Sequence, residues 1–283
     1  PVKYNTEGIF GFGWTTGGVS MTNLVSDAGV VATDTTGVGS ARGYLAACEY
    51  GGDKGIFGYG NTGSIVSMTN LVSNAGVVAT DTTGVGTARQ YLAACGYGGD
   101  KGIFGFGEGT AVTNLVSNAG VVATDVTGVG TARYDLAACE YGGDKGIFGF
   151  GTTGSVTGVT NLVSNVGVVA TDVTGVGTAR AGPAACGYGG DKGIFGYGTT
   201  GSRVSMTNLV SNAGVVATDV TGVGTARNAL AATQYGEDKG IFGYGTTGSI
   251  VSMTNLVSNA GVVATDVTGV GTARVDLAAC SFN

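Results

Sequence analysis

The feature that most constrains this chain is the phrase Gly-Ile-Phe-Gly-(Phe/Tyr)-Gly, which occurs six times. Successive copies are 47, 47, 44, 47 and 47 residues apart, with their isoleucines at Ile9, Ile56, Ile103, Ile147, Ile194 and Ile241. After each copy come a variable loop, Thr-Asn-Leu-Val, Val-Val-Ala-Thr-Asp and Gly-Val-Gly-(Ser/Thr)-Ala-Arg. Repeats of about this length indicate one fold built from equivalent supersecondary units.

Each unit breaks at glycines into four short apolar segments, which in the second unit are 55–60, 66–73, 77–82 and 91–97. They are rich in β-branched and aromatic residues and are bounded by Gly, Asn and Asp, which favours strands and turns. No segment shows a helical period with caps. Four strands in each of six units predict an all-β fold, a six-bladed β-propeller with four-stranded blades. A β-solenoid is the alternative, although its coils are usually shorter, at roughly 20–30 residues.

The positions of the chain ends within the repeat favour a ring. We predict a single domain over 1–283, with repeats beginning near 7, 54, 101, 145, 192 and 239. The first unit lacks its own Leu-Ala-Ala-Cys segment, and the chain stops just after the copy at 277–280. The last strand, 274–283, is therefore expected to complete the N-terminal blade and to close the ring, which would hide the open sheet edges.

Composition excludes several classes of function. The chain has no histidine, so Ser-His-Asp triads and histidine-based zinc sites are excluded. Its 13 Lys and Arg residues form no basic cluster and the net charge is −6, so we expect no nucleic-acid partner. No apolar run approaches the roughly 20 residues that span a bilayer, so we expect no membrane insertion. No phosphate-binding, dinucleotide or calcium-loop motif is present, so we predict no enzyme, catalytic residue, metal or cofactor.

The order of motifs around the glycine phrase resembles the kelch type of propeller repeat. An Arg precedes a small-residue strand, which leads into Tyr-Gly-Gly-Asp-Lys-Gly-Ile-Phe-Gly-Tyr-Gly, as at 50–60. Where a kelch repeat has two adjacent glycines, this chain has Gly58-Tyr59-Gly60. The tryptophan of the kelch repeat is missing as well, since Trp14 is the only Trp in the sequence. The wording of the repeat is also similar to glycine-rich repeats of phage and marine microbial proteins, some of them tail-fibre-like. That second resemblance implies a virion or surface binding module.

One Asp and one Arg occur in every unit, always eight residues apart. They can be interpreted as a six-fold ring that lines a central channel, or as structural Arg–Asp pairs or turn caps that every blade needs. We favour the structural interpretation, because one copy per blade suits a brace better than a single active site. The ring consists of Asp34, Arg42, Asp81, Arg89, Asp125, Arg133, Asp172, Arg180, Asp219, Arg227, Asp266 and Arg274.

The positions that differ between units are the most informative about function. They are the pair after each Arg, the loop after the glycine phrase, and a third set formed by Glu49, Gly96, Glu140, Gly187, Gln234 and Ser281. Such positions are either neutral drift on exposed sites or a diversified contact face. The aromatic and polar side chains among them resemble a recognition surface. The candidate ligand-binding residues are Trp14, Tyr44, Gln90, Tyr91, Tyr134, Asp135, Asn228 and Asp276.

Three functions are compatible with these observations. The first is a non-enzymatic propeller that displays a binding face for a glycan or a cell-surface protein, as part of a virion fibre or an extracellular adhesin. The second is a structural protein that stacks or forms oligomers through the propeller faces. The third is a hydrolase that uses channel carboxylates, which we consider least favoured, because symmetric carboxylates do not give two acids the different environments that acid–base catalysis needs.

Overall fold

The computed structural model describes residues 5–283, and this part of the chain contains eighteen β-strands and no helix. The first nine are β1 (Glu7–Gly11), β2 (Thr22–Val25), β3 (Ala46–Tyr50), β4 (Lys54–Gly58), β5 (Thr69–Val72), β6 (Ala93–Tyr97), β7 (Lys101–Gly105), β8 (Thr113–Val116) and β9 (Ala137–Tyr141). The others are β10 (Lys145–Gly149), β11 (Thr160–Val163), β12 (Ala184–Tyr188), β13 (Lys192–Gly196), β14 (Thr207–Val210), β15 (Ala231–Tyr235), β16 (Lys239–Gly243), β17 (Thr254–Val257) and β18 (Ala278–Phe282). Residues 5–283 contain no helix that is long and apolar enough to cross a membrane.

The strands form six antiparallel sheets of three strands each, and the sheets repeat with the period of the sequence. Their orders are β18-β1-β2, β3-β4-β5, β6-β7-β8, β9-β10-β11, β12-β13-β14 and β15-β16-β17. The middle strand of every sheet carries the Gly-Ile-Phe-Gly phrase, and the third carries Thr-Asn-Leu-Val. The all-β prediction and the six repeated units are therefore confirmed.

The predicted fourth strand is not a continuous strand in the described residues. In the second unit only two isolated bridges join 77–82 to β5, namely Val72 with Val78 and Thr69 with Thr82. Between the two bridges lie three residues of the segment 77–82 but only two residues of β5. This mismatch interrupts the ladder as a bulge does. The side chain of Asn70 fills the interruption, because its amide donates to the carbonyl of Ala79 at 3.0 Å. Four-stranded sheets are therefore not confirmed.

The first strands of the six sheets are mutual neighbours in the order β3, β6, β9, β12, β15 and β18, and β18 also lies beside β3. The last strand of the chain shares a sheet with the first, because β18 pairs antiparallel with β1 from Glu7–Phe282 to Gly11–Ala278. Next to this pair, the amide of Asn283 donates to the carbonyl of Asp53 in the following sheet at 3.0 Å.

The core lies between neighbouring sheets, in six separate clusters. One of them joins Ile56 and Tyr59 of one unit to Leu92 and Phe104 of the next. Glycine makes this close approach possible, and 57 of the 283 residues are glycine. A Cβ on Gly58 would lie 2.7 Å from Cζ of Phe104, and the same Gly–Phe contact occurs between every pair of adjacent sheets.

Candidate functional site at the ends of a central cavity

A central cavity runs between the first strands of all six sheets. Its wall includes one alanine from each of these first strands, so the middle of the cavity is apolar and the same in every unit. These alanines are Ala47, Ala94, Ala138, Ala185, Ala232 and Ala279. The residues that differ between units lie toward its two ends. Any ligand specificity of this cavity therefore resides at the two mouths.

One mouth is formed by the second residue after each repeated Arg, a set that we call the collar: Tyr44, Tyr91, Asp135, Gly182, Ala229 and Asp276. The backbone amide of each collar residue donates to the carbonyl of the collar residue in a neighbouring sheet. The donations run from Tyr44 to Asp276 and from Tyr91 to Tyr44 at 2.9 Å, and the other four, at 2.8–3.2 Å, complete a cycle. The collar side chains are thus carried on a continuous hydrogen-bonded backbone.

Four of the predicted ligand-binding residues form an arc of aromatic rings at this mouth. Ring centroids are 6.0 Å apart between Trp14 and Tyr44, 4.4 Å between Tyr44 and Tyr91, and 6.2 Å between Tyr91 and Tyr134. The indole of Trp14 occupies the space that a side chain at position 43 would need, so Gly43 is what admits it. The four aromatic side chains are half-buried, and those of Tyr44 and Tyr91 line the mouth.

The backbone of the collar is strained. All six residues have φ between 53° and 58°, in the left-handed region, yet only one of them is glycine. Tyrosine in this region is unfavourable by about 1–3 kcal/mol, and such residues concentrate at functional sites. Glycine would fit every one of these positions. Positive φ alone does not mark a binding residue in this chain, since six fully buried aromatic residues share it: Phe12, Tyr59, Phe106, Phe150, Tyr197 and Tyr244.

The collar carries two carboxylates that have no counter-charge among the residues that the structure describes. Asp276 and Asp135 flank the two tyrosines in the cycle, and no described Lys or Arg forms an ion pair with either. Burial raises the pKa of Asp135 to about 6. Burial, together with the charge of Asp135, raises the pKa of Asp276 to about 7. Gly182 and Ala229 leave the opposite side of the collar open, and the cavity between the collar residues has a volume of about 90 Å³.

The other two candidates, Gln90 and Asn228, lie outside the aromatic arc. Gln90 accepts a hydrogen bond from the side-chain amide of Asn61 at 2.8 Å, and Asn228 accepts one from Nε of Arg203 at 3.0 Å. Asn228 lies over Gly182, across the collar from the tyrosines. The structure thus places six of the eight candidates around the aromatic side of one mouth and engages the remaining two with loop side chains.

The repeated arginines do not line the cavity. Arg42 is completely buried, and its guanidinium lies 4.3 Å from the ring centroid of Phe12 in the adjacent sheet. Its Nε donates to the carbonyl of Tyr59 and its Nη2 donates to Oδ1 of Asn70. All six arginines are fully buried against an aromatic ring in this way.

The repeated aspartates join neighbouring segments at the surface of the sheets. Asp81 accepts hydrogen bonds from the amide and hydroxyl of Ser40, and its Oδ1 lies 3.8 Å from Nη1 of Arg42. The partner of each Arg is therefore the Asp of the following unit rather than the one eight residues earlier in sequence. Burial raises the pKa of Asp81, but hydrogen bonds from Ser40 and Asn70 outweigh it and leave the pKa lowered.

The mouth opposite the collar holds a second group of unique side chains, which we call the glutamate cluster: Asn5, Glu49, Glu140, Gln234 and Ser281. The amide of Asn5 donates to Oε2 of Glu49 at 2.6 Å and to Oγ of Ser281 at 3.2 Å. The carboxylate of Glu140 extends over Gly96, into the space that a side chain there would occupy. Cγ of Glu49 lies 3.3 Å from the position that a Cβ on Gly96 would take, so both acidic side chains share the space over this glycine.

The two glutamates are held in an environment that disfavours their charge. Burial raises the pKa of Glu49 to about 7, although a hydrogen bond with Ser281 opposes the shift. Burial and the charge of Glu49 raise the pKa of Glu140 well above its usual range. The sequence marked these positions only as variable. The signal in the sequence that identifies them is the alternation of long and small residues at these positions.

No family model and no curated protein matches this chain. The resemblance to kelch repeats and to phage repeats therefore stays a prediction from the sequence.

Proposed function

We propose that this protein is a non-enzymatic binding module, a six-bladed propeller closed by β18, whose collar mouth recognises a glycan. The hydrogen-bonded cycle of collar residues and the pairing of β18 with β1 support a ring over a solenoid. Each blade would have four strands if the segment bridged to its third strand is counted. The expected setting is extracellular or on a virion, where glycans of a cell surface are the natural ligand.

The observation that carries this proposal is the aromatic arc flanked by two carboxylates. The faces of Tyr44 and Tyr91 offer flat apolar surface with polar edges, a combination suited to the C–H face of a sugar ring. Asp135 and Asp276 stand at either end of the tyrosine pair, where they can accept hydrogen bonds from sugar hydroxyls.

The test replaces Tyr44 and Tyr91 by glycine, which suits their backbone conformation and so keeps the fold. Ala229→Gly is the matched control, since it has the same position and a φ of 56° but no aromatic ring. On a glycan array and on labelled cells, Y44G/Y91G should lose binding and A229G should keep it. Equal signals from Y44G/Y91G and the unmodified protein would refute the collar as the site. Absence of any glycan signal from the unmodified protein, with cell binding kept, would point to a protein receptor instead.

A second candidate, self-assembly, is favoured by a ring of exposed valines. One valine per unit, beyond the third strand of its sheet, is 63–65% exposed: Val30, Val77, Val121, Val168, Val215 and Val262. Repeated apolar residues near an outer sheet edge favour contacts between molecules. A monomer at every concentration in analytical ultracentrifugation would argue against this candidate and leave the collar proposal intact.

A further inference from the structure

The glutamate cluster is not explained by ligand binding at the collar, which lies at the opposite mouth. Around the cavity, long polar residues alternate with small ones in the order Glu49, Gly96, Glu140, Gly187, Gln234 and Ser281. The long side chains therefore come from alternate sheets, roughly a third of a turn apart. Gln234 extends over Gly187 as Glu140 extends over Gly96, because the glycines leave the space free. Three oxygen-bearing side chains thus meet in one cavity.

Among residues 5–283, the two carboxylates of the cluster have no positively charged partner. No described Lys or Arg forms an ion pair with Glu49 or Glu140. Lys101 and Lys192 line the same mouth, but their Nζ atoms donate to Asp100 and Asp191 at 2.6 and 2.8 Å. Two acids that share a half-buried space without a cation are destabilising unless a proton or a bound cation compensates them.

A separate observation concerns Asn5. This residue is 4% exposed, and its side chain is directed into the cluster, where its amide donates to Glu49 and Ser281. Its carbonyl oxygen Oδ1 is buried and has no hydrogen-bond partner among the described residues. A buried carbonyl oxygen without a donor is costly and calls for a partner such as a cation.

We propose that the glutamate cluster binds one divalent cation of the calcium class. The carboxylates of Glu49 and Glu140 supply two negative charges, and the side-chain oxygens of Gln234, Asn5 and Ser281 supply neutral ligands. Residues 5–283 hold no group of three or more His, Cys, Asp or Glu placed for a metal, so neutral oxygens must complete the set. An all-oxygen set of mixed side chains suits Ca²⁺, which accepts irregular coordination, better than Mg²⁺, which demands near-ideal octahedral geometry.

The experiment titrates CaCl₂ into the metal-free full-length protein by calorimetry and follows Tm in parallel. The unmodified protein should bind one equivalent, and Tm should rise by about 5 °C when free Ca²⁺ is near 100 times Kd. The variant E49Q/E140Q should lose both responses. Its metal-free Tm should equal or exceed that of the unmodified protein, because the repulsion between the glutamates is removed. Asp191→Asn, at the same mouth but paired with Lys192, is the control and should keep both responses.

Two results would overturn the proposal. One is the absence of heat and of a Tm shift when the unmodified protein is titrated with Ca²⁺, which would mean that a shared proton alone compensates the glutamates. The other is an undiminished response in E49Q/E140Q, which would place the bound ion elsewhere. Glycan binding at the collar is read out separately, so failure of either proposal is recognisable without the other.

Discussion

At the scale of single residues, the collar combines large or charged side chains with a backbone conformation that favours glycine. Tyr44, Tyr91, Asp135, Ala229 and Asp276 all adopt a backbone conformation that glycine prefers, and only Gly182 conforms to it. The sequence singled out the tyrosines and aspartates because they vary between otherwise copied units. It gave no indication of the positive φ, because no glycine pattern marks the position across the units.

The collar strain is measurable with a reciprocal pair of substitutions. Ala229→Gly should stabilise the protein by up to about 1 kcal/mol, since it relieves a left-handed alanine, whereas Gly182→Ala should destabilise it by about 1 kcal/mol. Steric overlap would not cause the destabilisation of Gly182→Ala, because a Cβ on Gly182 would have its nearest neighbour 3.5 Å away. Urea denaturation would give both values. Shifts of the same sign in the two variants would show that φ does not control stability here.

At the scale of strands and sheets, the glycine phrases correctly predicted the six repeated units and three of the four strands expected in each. They did so because the apolar segments between turns are short and each unit repeats them. The fourth strand was predicted from Val77–Thr82, which has strand composition, but Asn70 takes the carbonyl of Ala79 that a ladder would use. Composition does not reveal a side chain that replaces a backbone partner. The burial of Arg42 between sheets was likewise hidden, because a charged residue in sequence suggests an exposed one.

The packing of sheets on one another depends on the last glycine of each middle strand. Gly58→Ala should destabilise the protein by about 1–3 kcal/mol, because the new methyl group would overlap the ring of Phe104. Gly17→Ala is the matched control, since nothing lies within 4 Å of its Cβ position and its φ is not positive. Thermal unfolding of the two variants checks the expectation. Equal Tm values for G58A and G17A would show that adjacent sheets can move apart to accommodate the methyl group with little loss of stability.

At the scale of the whole molecule, two sets of carboxylates act on stability in opposite directions. The pKa values of Glu49 and Asp276 are raised to about 7 and that of Asp135 to about 6, mainly by burial. The folded protein therefore binds protons at these three carboxylates more tightly than the unfolded chain does. The stability that this proton binding contributes is lost as pH rises toward the raised pKa values. The ring aspartates, such as Asp34, have lowered pKa values, because hydrogen bonds from Thr272 and Asn23 outweigh burial. Their contribution is present above about pH 4 and is lost in acid.

We therefore expect maximum stability near pH 5 and a lower Tm at pH 8. The variant E49Q/E140Q/D135N/D276N should abolish the decline between pH 5 and pH 8, because it removes the groups that lose protons in this range. Loss of stability below pH 4 should remain in the variant, since the ring aspartates are unchanged. Differential scanning fluorimetry in the presence of a chelator measures both ends of the profile. A Tm in the unmodified protein that rises from pH 5 to pH 8 would contradict the assignment of these groups.

The sheet that combines β18 with β1 has a mechanical consequence. Its two strands are separated by almost the whole sequence, whereas β3 and β4, or any equivalent pair, are tethered by a short turn. Only hydrogen bonds and side-chain packing hold this seam, so thermal opening or an applied pull is expected to begin there. A covalent link across the seam, or a new pair of ends cut into one of the exposed turns, would move the weakest point of the molecule to a different sheet.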